Sequence, residues 1–208
     1  LYQAFLSGTA SPLQELAIQY GDYVMWQRHA LTHDKLQKQL DYWHQHLQNV
    51  PTLHSIPLQT NRPKIRSTSG RIVERTLSLS QTEGVRQTAQ HYELTPFMLI
   101  HGVFALVLAK HGGNNDLVIG TPVANRQKQE LSQLIGLFVN TLVLRSNTNH
   151  LSWGDYLNHI RQINLDAQAN QDVPFELLVE LCNLPRDKSH TPLFQIMLSM
   201  DDTLSEEG

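Results

Sequence analysis

Eleven histidines are the side chains in this 208-residue chain best suited to moving protons or holding a metal, and His44-Gln45-His46 is their tightest grouping. Two positions apart on a helix, these imidazoles diverge and cannot meet at one ion. No H-E-x-x-H string accompanies them, so the pair reads as part of a solvated helix face. His101 sits inside an apolar run and reads as a hydrogen-bonded core histidine. Asp172 and Glu176, four apart around Pro174, are either carboxylates favoured by a helix N-terminus or functional acids. No G-x-S-x-G elbow supports a Ser/His/Asp triad, and neither G-x-G-x-x-G nor the Walker pattern occurs, so nucleotide binding has no local support.

Cys182 is the only cysteine, which precludes an intrachain disulfide and a thiolate metal cluster and fits a reducing cytoplasm. Among Val179, Leu181 and Leu184 it reads as core filler. A composition of 40% apolar and 17% charged residues belongs to a globular chain. The net charge of -3 offers no footprint for nucleic acid or an anionic membrane. The longest apolar run, from Phe97 to Ala109, is too short to span a bilayer and reads as a buried helix.

The elements that must position these residues follow from pattern. Leu1 to Gly8 reads as the last two turns of a helix, ended by Gly8, with more of the domain expected upstream. Ser11 to Ile18 reads as a loop, and the aromatics between Gln19 and Arg28 crowd together. Leu36, Leu40, Trp43 and Leu47 then repeat at helical spacing, with Lys35, Gln37, Lys38 and Gln39 on the opposite face. Val50 to Ser69 carries Pro51, Pro57 and Pro63 without any period and reads as a lobe boundary.

Beyond it, Arg71 to Leu79 is a strand candidate, and Ser80-Gln81-Thr82-Glu83 has the capping-box form for a helix running to about His91. Thr95-Pro96 opens a core helix, apolar all round, that Gly112-Gly113 closes. Strands are expected at Asp116 to Gly120 and Leu137 to Leu144, the latter ended by Arg145-Ser146-Asn147. From Ser152 the positions Trp153, Leu157, Ile160, Asn164 and Ala167 predict a long helix with Asp155 in its first turn. A short helix from Pro174 to Cys182 and a terminal strand from Leu193 to Met200 complete a β-α-α-β-β-α-α-β order.

Four segments together carry a resemblance. Tyr20-Gly21-Asp22-Tyr23-Val24-Met25-Trp26 resembles a Y-x-D-Y-x-x-W block, and Gly120-Thr121-Pro122-Val123-Ala124-Asn125-Arg126 a G-x-P-V-A-N-R block. Ile135 to Arg145 resembles I-G-x-F-V-N-T-L-x-x-R and includes Asn140, and Gln171-Asp172-Val173-Pro174-Phe175-Glu176 resembles H-Q-D-x-P-F-E with Asn170 where the His usually stands. In this order they resemble the condensation domains of nonribosomal peptide synthetases. The family's H-H-x-x-x-D-G motif, whose second His positions or deprotonates the attacking amine, is expected upstream of Leu1 and occurs nowhere in this chain.

The resemblance implies an α/β, chloramphenicol-acetyltransferase-like fold, with a mixed sheet and packed helices, as part of a V-shaped domain of two lobes. Residues 1–50 are then the end of the first lobe and its connecting helix, and 51–208 most of the second. It further implies amide formation between thioesters carried on the phosphopantetheine arms of carrier proteins, beside an adenylation domain, in the cytoplasm. No metal or directly bound cofactor, no nucleic acid and no membrane is expected. The expected channel or lobe-interface residues are Tyr20, Asp22, Trp26, Gly120, Pro122, Asn125, Arg126, Asn140, Asp172 and Glu176, with no catalytic residue in this segment. Thr121-Pro122-Val123 is expected to turn the chain sharply. Asn125 and Arg126 are expected to contact substrate or to form an inter-lobe ion pair, and Tyr20, Asp22 and Trp26 to pack the lobes together. An isolated segment lacking the motif is expected to be inactive; a carrier-docking scaffold or an ester-forming relative are the alternatives. Epimerisation and heterocyclisation relatives share the architecture, and the P-V-A-N-R string is more similar to ordinary condensation.

Overall fold

In a computed structural model of the protein, residues 1–30, 34–185 and 187–201 are described. The chain runs through α1 (Tyr2–Leu6), α2 (Tyr20–Ala30), α3 (Asp34–His46), α4 (Leu79–His91), α5 (Pro96–Gly112), β1 (Asp116–Val123), a single 3-10 turn at Gln129–Leu131, β2 (Asn140–Asn147), α6 (Trp153–Ala169) and α7 (Phe175–Leu181). The expected helices all form. α1 has only five residues, and Gly8 follows it in the left-handed region.

β1 and β2 pair antiparallel from Asp116 opposite Asn147 to Val123 opposite Asn140. Alternation of side chains across the strands then puts Ile119, Thr121, Leu142 and Leu144 on one face and Val118, Gly120, Val143 and Arg145 on the other. The first face meets α5 and α6, since Phe97 and Asn164 line a cavity with Thr121 and Leu142. The second meets Phe194 and the end of α3. Both faces are covered, and one apolar cluster joins Trp43, Leu47 and Val50 to Leu142, Val143, Leu144, Ile163, Leu178 and Phe194. Trp43 is fully buried, and burial of a ring that size contributes about 4 to 6 kcal/mol.

α6 begins where Ser152 accepts from the Asp155 amide. It packs on α5 closely enough for the Tyr156 hydroxyl to donate to the Gly102 carbonyl at 2.6 Å. His101, wholly buried, takes the Asn164 side-chain amide at 3.0 Å on Nδ1, which fits the core reading. Cys182 likewise packs against the main cluster, and burial raises its thiol pKa.

Several elements depart from the sequence reading. The helix expected to start at Ser80 is capped two residues earlier, by a reciprocal box between Ser78 and Gln81; the string Ser78-Leu79-Ser80-Gln81 satisfies the same rule as Ser80 to Glu83. α5 is not buried all round, because Ile100, Val103 and Val107 leave a stripe exposed. β2 starts three residues later than expected and includes Arg145 and Ser146, since Arg145 is held by Asp116 on the neighbouring strand. Thr121-Pro122-Val123 does not turn the chain. These residues finish β1, and the left-handed residue is Asn125, φ 52°, a conformation Asn tolerates better than most.

The terminal segment meets β1 at a single parallel bridge between Gly120 and Met197, with Gly120 N donating to Ile196 O and Leu198 N donating to Gly120 O, both at 2.9 Å. The sheet is the two-stranded antiparallel pair β1–β2 rather than the expected mixed one, because the expected terminal strand is reduced to this one parallel bridge. Arg71 to Ser78 belongs to no strand.

Candidate functional site

The aromatic face of α2 organises the site. Tyr23, 6% exposed, packs with Leu131, Leu134 and Phe138. Tyr20 lies edge-on to Phe138 with centroids 5.3 Å apart, and its hydroxyl donates to the Leu137 carbonyl at 2.9 Å. The backbone at Gly136 passes directly under this ring: a Cβ there would fall 2.2 Å from Tyr20 Cδ2. Only glycine permits that approach. Among the described residues Asp22 does not join elements as expected; its carboxylate accepts the Gln19 amide at 2.8 Å at the start of its own helix.

Arg126 corrects another expectation. It forms no ion pair among the described residues; Nη1 donates to the Leu131 carbonyl and, at 2.9 Å, to the Leu134 carbonyl. Its guanidinium lies 4.1 Å from the Phe138 ring centroid. The planar head thus ties the 126–138 loop into a knot against α2. Lys128 repeats the contact on the outside, with Nζ 4.4 Å from the half-exposed Trp26 ring.

The other wall is the turn between α6 and α7, held from two sides. Asn140 uses its whole amide: Nδ2 donates to Gln171 O at 2.9 Å and Val173 O at 2.8 Å, while Oδ1 accepts from the amides of Thr141 and Phe175. All four positions of the group are satisfied. From α3, Trp43 Nε1 donates to Asn170 O at 2.8 Å, and Lys35 Nζ lies 3.0 Å from Asp172 Oδ2. Gln39 is buried rather than solvated as expected, and pairs with both the side chain and the backbone of Asp172. Its position, four before Trp43, puts it on the Trp43 face.

Between these walls lies an open cavity of about 150 Å³, lined by Tyr23, Trp26, Lys35, Gln39, Asn125, Lys128 and Asp172, among others. Of the expected site residues it brings together Trp26, Asn125 and Asp172. Arg126, Tyr20 and Asn140 support its walls. Pro122 lies elsewhere, lining a second cavity of about 160 Å³ with Phe97, Thr121, Asn164 and Met200. Gly120 packs under Phe194, where a Cβ would fall 2.3 Å from the ring. Glu176 is exposed in the first turn of α7, and Asp172 is not a helix-start carboxylate but the partner of Lys35 and Gln39. Tyr23, Lys35, Gln39 and Lys128 are among the lining residues the expected set missed.

Proton chemistry has little to work with here. His101 has its pKa lowered to about 4 by burial, with His159 adding to the effect, so it is neutral and enclosed. His46 is not on a solvated face: burial and the nearby Arg145 lower its pKa, and its ring stacks on Tyr42 at 5.4 Å. Among the described residues no group of three His, Cys, Asp or Glu side chains could hold a metal, and no single helix is long and apolar enough to cross a membrane.

The model of the condensation-domain family matches residues 1–207. Malpinin synthetase of Mortierella alpina is 41% identical over 213 residues, covering 100% of this chain and 3% of that protein. A phosphinothricin tripeptide synthetase of Streptomyces viridochromogenes is 39% identical over 203 residues, covering 97% of this chain and 19% of that protein. The X-domain from teicoplanin biosynthesis superposes with a TM-score of 0.85 at 25% identity, over 94% of this chain and 45% of that one. This chain therefore belongs to the condensation-domain family of nonribosomal peptide synthetases, with the chloramphenicol-acetyltransferase-like fold, and spans less than half of the solved X-domain.

Proposed function

We propose that this chain serves amide formation in nonribosomal peptide synthesis, as one wall of a cleft completed by the rest of a condensation domain. In that reading residues 1–50 end the first lobe and 51–208 make most of the second, with α3 as the connecting helix docked on the second lobe's core. The observation that carries it is convergence. Four separate motif segments, in α2, at Asn125-Arg126, at 135–140 and at 171–176, enclose or support a single cavity.

The reaction joins the neutral amine of an aminoacyl thioester to the carbonyl carbon of an acyl or peptidyl thioester. A C–N bond forms, the C–S bond breaks, and the proton lost by nitrogen is balanced by the thiol released. Both substrates ride on phosphopantetheine arms of carrier proteins, beside an adenylation domain, in the cytoplasm. This chain's share is to shape and dry the cleft and hold it rigid, which raises the effective concentration of the two arms. Trp26, Asn125 and Asp172 face the cavity, and Tyr20, Arg126 and Asn140 fix its walls. No base is supplied from these residues, so the imidazole of an H-H-x-x-x-D-G motif must come from outside them.

The test compares the 208-residue chain with a full-length condensation domain containing it, using carrier-bound donor and acceptor thioesters. Amide product is expected from the full-length domain alone. Product from the 208-residue chain overturns the reading. An ester formed only with alcohol acceptors, or tight carrier binding without turnover in the full-length domain, replaces it with an ester-forming or a scaffolding role.

A further inference from the structure

Asn164 is 2% exposed and yet has hydrogen-bonding capacity to spare. Its Nδ2 donates to the Ile160 carbonyl at 2.8 Å and to His101 Nδ1 at 3.0 Å. A carbonyl only accepts, so the atom facing Ile160 is the nitrogen, and this fixes which way the amide points. Both amide hydrogens are spent inside the core, because burial keeps His101 neutral with a lone pair on Nδ1. The other end of the group is free. Asn164 Oδ1 meets no donor among the described residues and, unlike His101 Nε2, is not sealed away from solvent.

The space it opens on is the second cavity, about 160 Å³, over the face of the β1–β2 pair that carries Thr121 and Leu142. Phe97, Pro122 and Met200 add apolar walls, and the nearly buried Thr121 adds a hydroxyl that can give or take a hydrogen bond. Among the described residues no charged side chain lines it. An ion entering there would shed its hydration without a counter-charge, so the site selects a neutral guest. A cavity of about 150 Å³ admits a molecule the size of benzene, so the guest is also compact. Asn164 stands on α6 and Thr121 on β1. The guest must therefore carry its donor and its acceptor on opposite sides, as the N–H and C=O of a trans secondary amide are carried.

We propose that this cavity binds a secondary amide, with the N–H on Asn164 Oδ1 and the carbonyl on the Thr121 hydroxyl, separately from the cavity beside Trp26. The chemistry of the guest follows from the cavity alone. Its bearer rests on the proposed function, which brings two sources of such amides to the chain: the pantetheine arm and the growing peptide.

Two-dimensional amide NMR of the 208-residue chain tests it, in titrations with N-methylacetamide and with methyl acetate, which has the same shape and lacks the N–H. N-methylacetamide is expected to bind saturably, at least about fivefold tighter than the ester. It is expected to shift the Asn164 side-chain amide signal, since a donor on Oδ1 polarises the amide that holds His101. Thr121→Val is expected to weaken amide binding at least about twofold, and Val123→Phe, which fills the cavity, to abolish it. Where a variant does not fold, the comparison of amide with ester on the wild-type chain decides. Equal binding of the two, no saturation, or shifts that persist in folded Val123→Phe overturns the proposal. Pantetheine and N-acetylglycine N-methylamide then assign the bearer: the one that binds tighter than N-methylacetamide at the same signals is the source, and if neither does, the assignment to this reaction's own substrates is refuted. None of these readouts uses turnover, so a full-length domain that forms no amide refutes the function and leaves the site standing.

Discussion

Gln39 and Asp172, 133 positions apart, form a closed pair: Gln39 Nε2 donates to Asp172 Oδ2 at 2.9 Å, and the Asp172 amide donates to Gln39 Oε1 at 3.1 Å. The amide reads both a side chain and a backbone, so it fixes the position of the 170–173 turn as well as the carboxylate. Lys35 reaches the same carboxylate from one turn earlier in α3 but is largely exposed. Gln39→Ala should therefore cost about 1 to 3 kcal/mol by leaving a part-buried amide unpaired, whereas Lys35→Ala should cost under about 1 kcal/mol. Urea unfolding of the two variants checks the order; an equal or reversed loss rejects it.

Gly120 and Phe194 supply the second expectation. A Cβ at 120 would lie 2.3 Å from the Phe194 ring, inside any real contact distance, and that ring also packs against Phe175 at 5.5 Å. Gly120→Ala must push the ring out or part the terminal segment from β1, at about 1 to 3 kcal/mol. Adding Phe194→Leu should recover part of that loss, giving a non-additive cycle in thermal or urea melts. Additive losses would show that the two sites do not meet.

Arg126 should not tolerate lysine. Its Nη1 donates to two loop carbonyls while the guanidinium carbon stands 4.1 Å from the Phe138 ring centroid, and a lysine ammonium is a compact point charge without the planar head that makes both contacts. Arg126→Lys is expected to cost about 1 to 2 kcal/mol and to shift Trp26 fluorescence, because Lys128, on the same loop, covers that ring. An unchanged melt and an unchanged emission spectrum would refute this.

Where the sequence reading succeeded, one segment carried its own evidence: Thr95-Pro96 and Ser152 announce helix starts, and the 3.6-residue period of Trp153 to Ala167 survives into α6. It failed where the answer depended on a distant partner. Gln39 is polar and sits among Gln37 and Lys38, so its neighbours say solvent, yet its spacing from Trp43 places it inward. Ser78 and Ser80 both satisfy the capping rule, and local chemistry cannot rank them. β2 runs on through Arg145 because Arg145 reaches Asp116, with which it makes two bonds at 2.9 and 2.8 Å, and because its Nη1 takes the carbonyls of His46 and Gln48. Arg126 reads in sequence as a substrate contact or half of an ion pair because charge is visible there and a carbonyl acceptor is not. The motif segments were legible as strings, while their convergence on one cavity required the fold.

His101 gives the chain an acid-sensitive core. Burial and His159 hold its pKa at about 4 against an ordinary 6.5, so the folded state prefers the neutral ring and the unfolded state takes up a proton first as pH falls. Its contribution is thus complete above about pH 6.5 and is lost progressively down to about pH 4. At about 1.4 kcal/mol per pH unit the difference is worth about 3 kcal/mol. His46, His54 and His159 also have lowered values and add loss of the same sign, which makes the slope of the wild-type protein alone uninformative about His101. A comparison isolates it. His101→Gln removes the titration, so the stability gap between the wild-type protein and the variant, taken from urea melts at about pH 7 and about pH 4.5, should narrow by roughly 2 to 3 kcal/mol on acidification. A gap that stays constant across that range would mean that His101 is not the neutral, enclosed group its place between α5 and α6 requires.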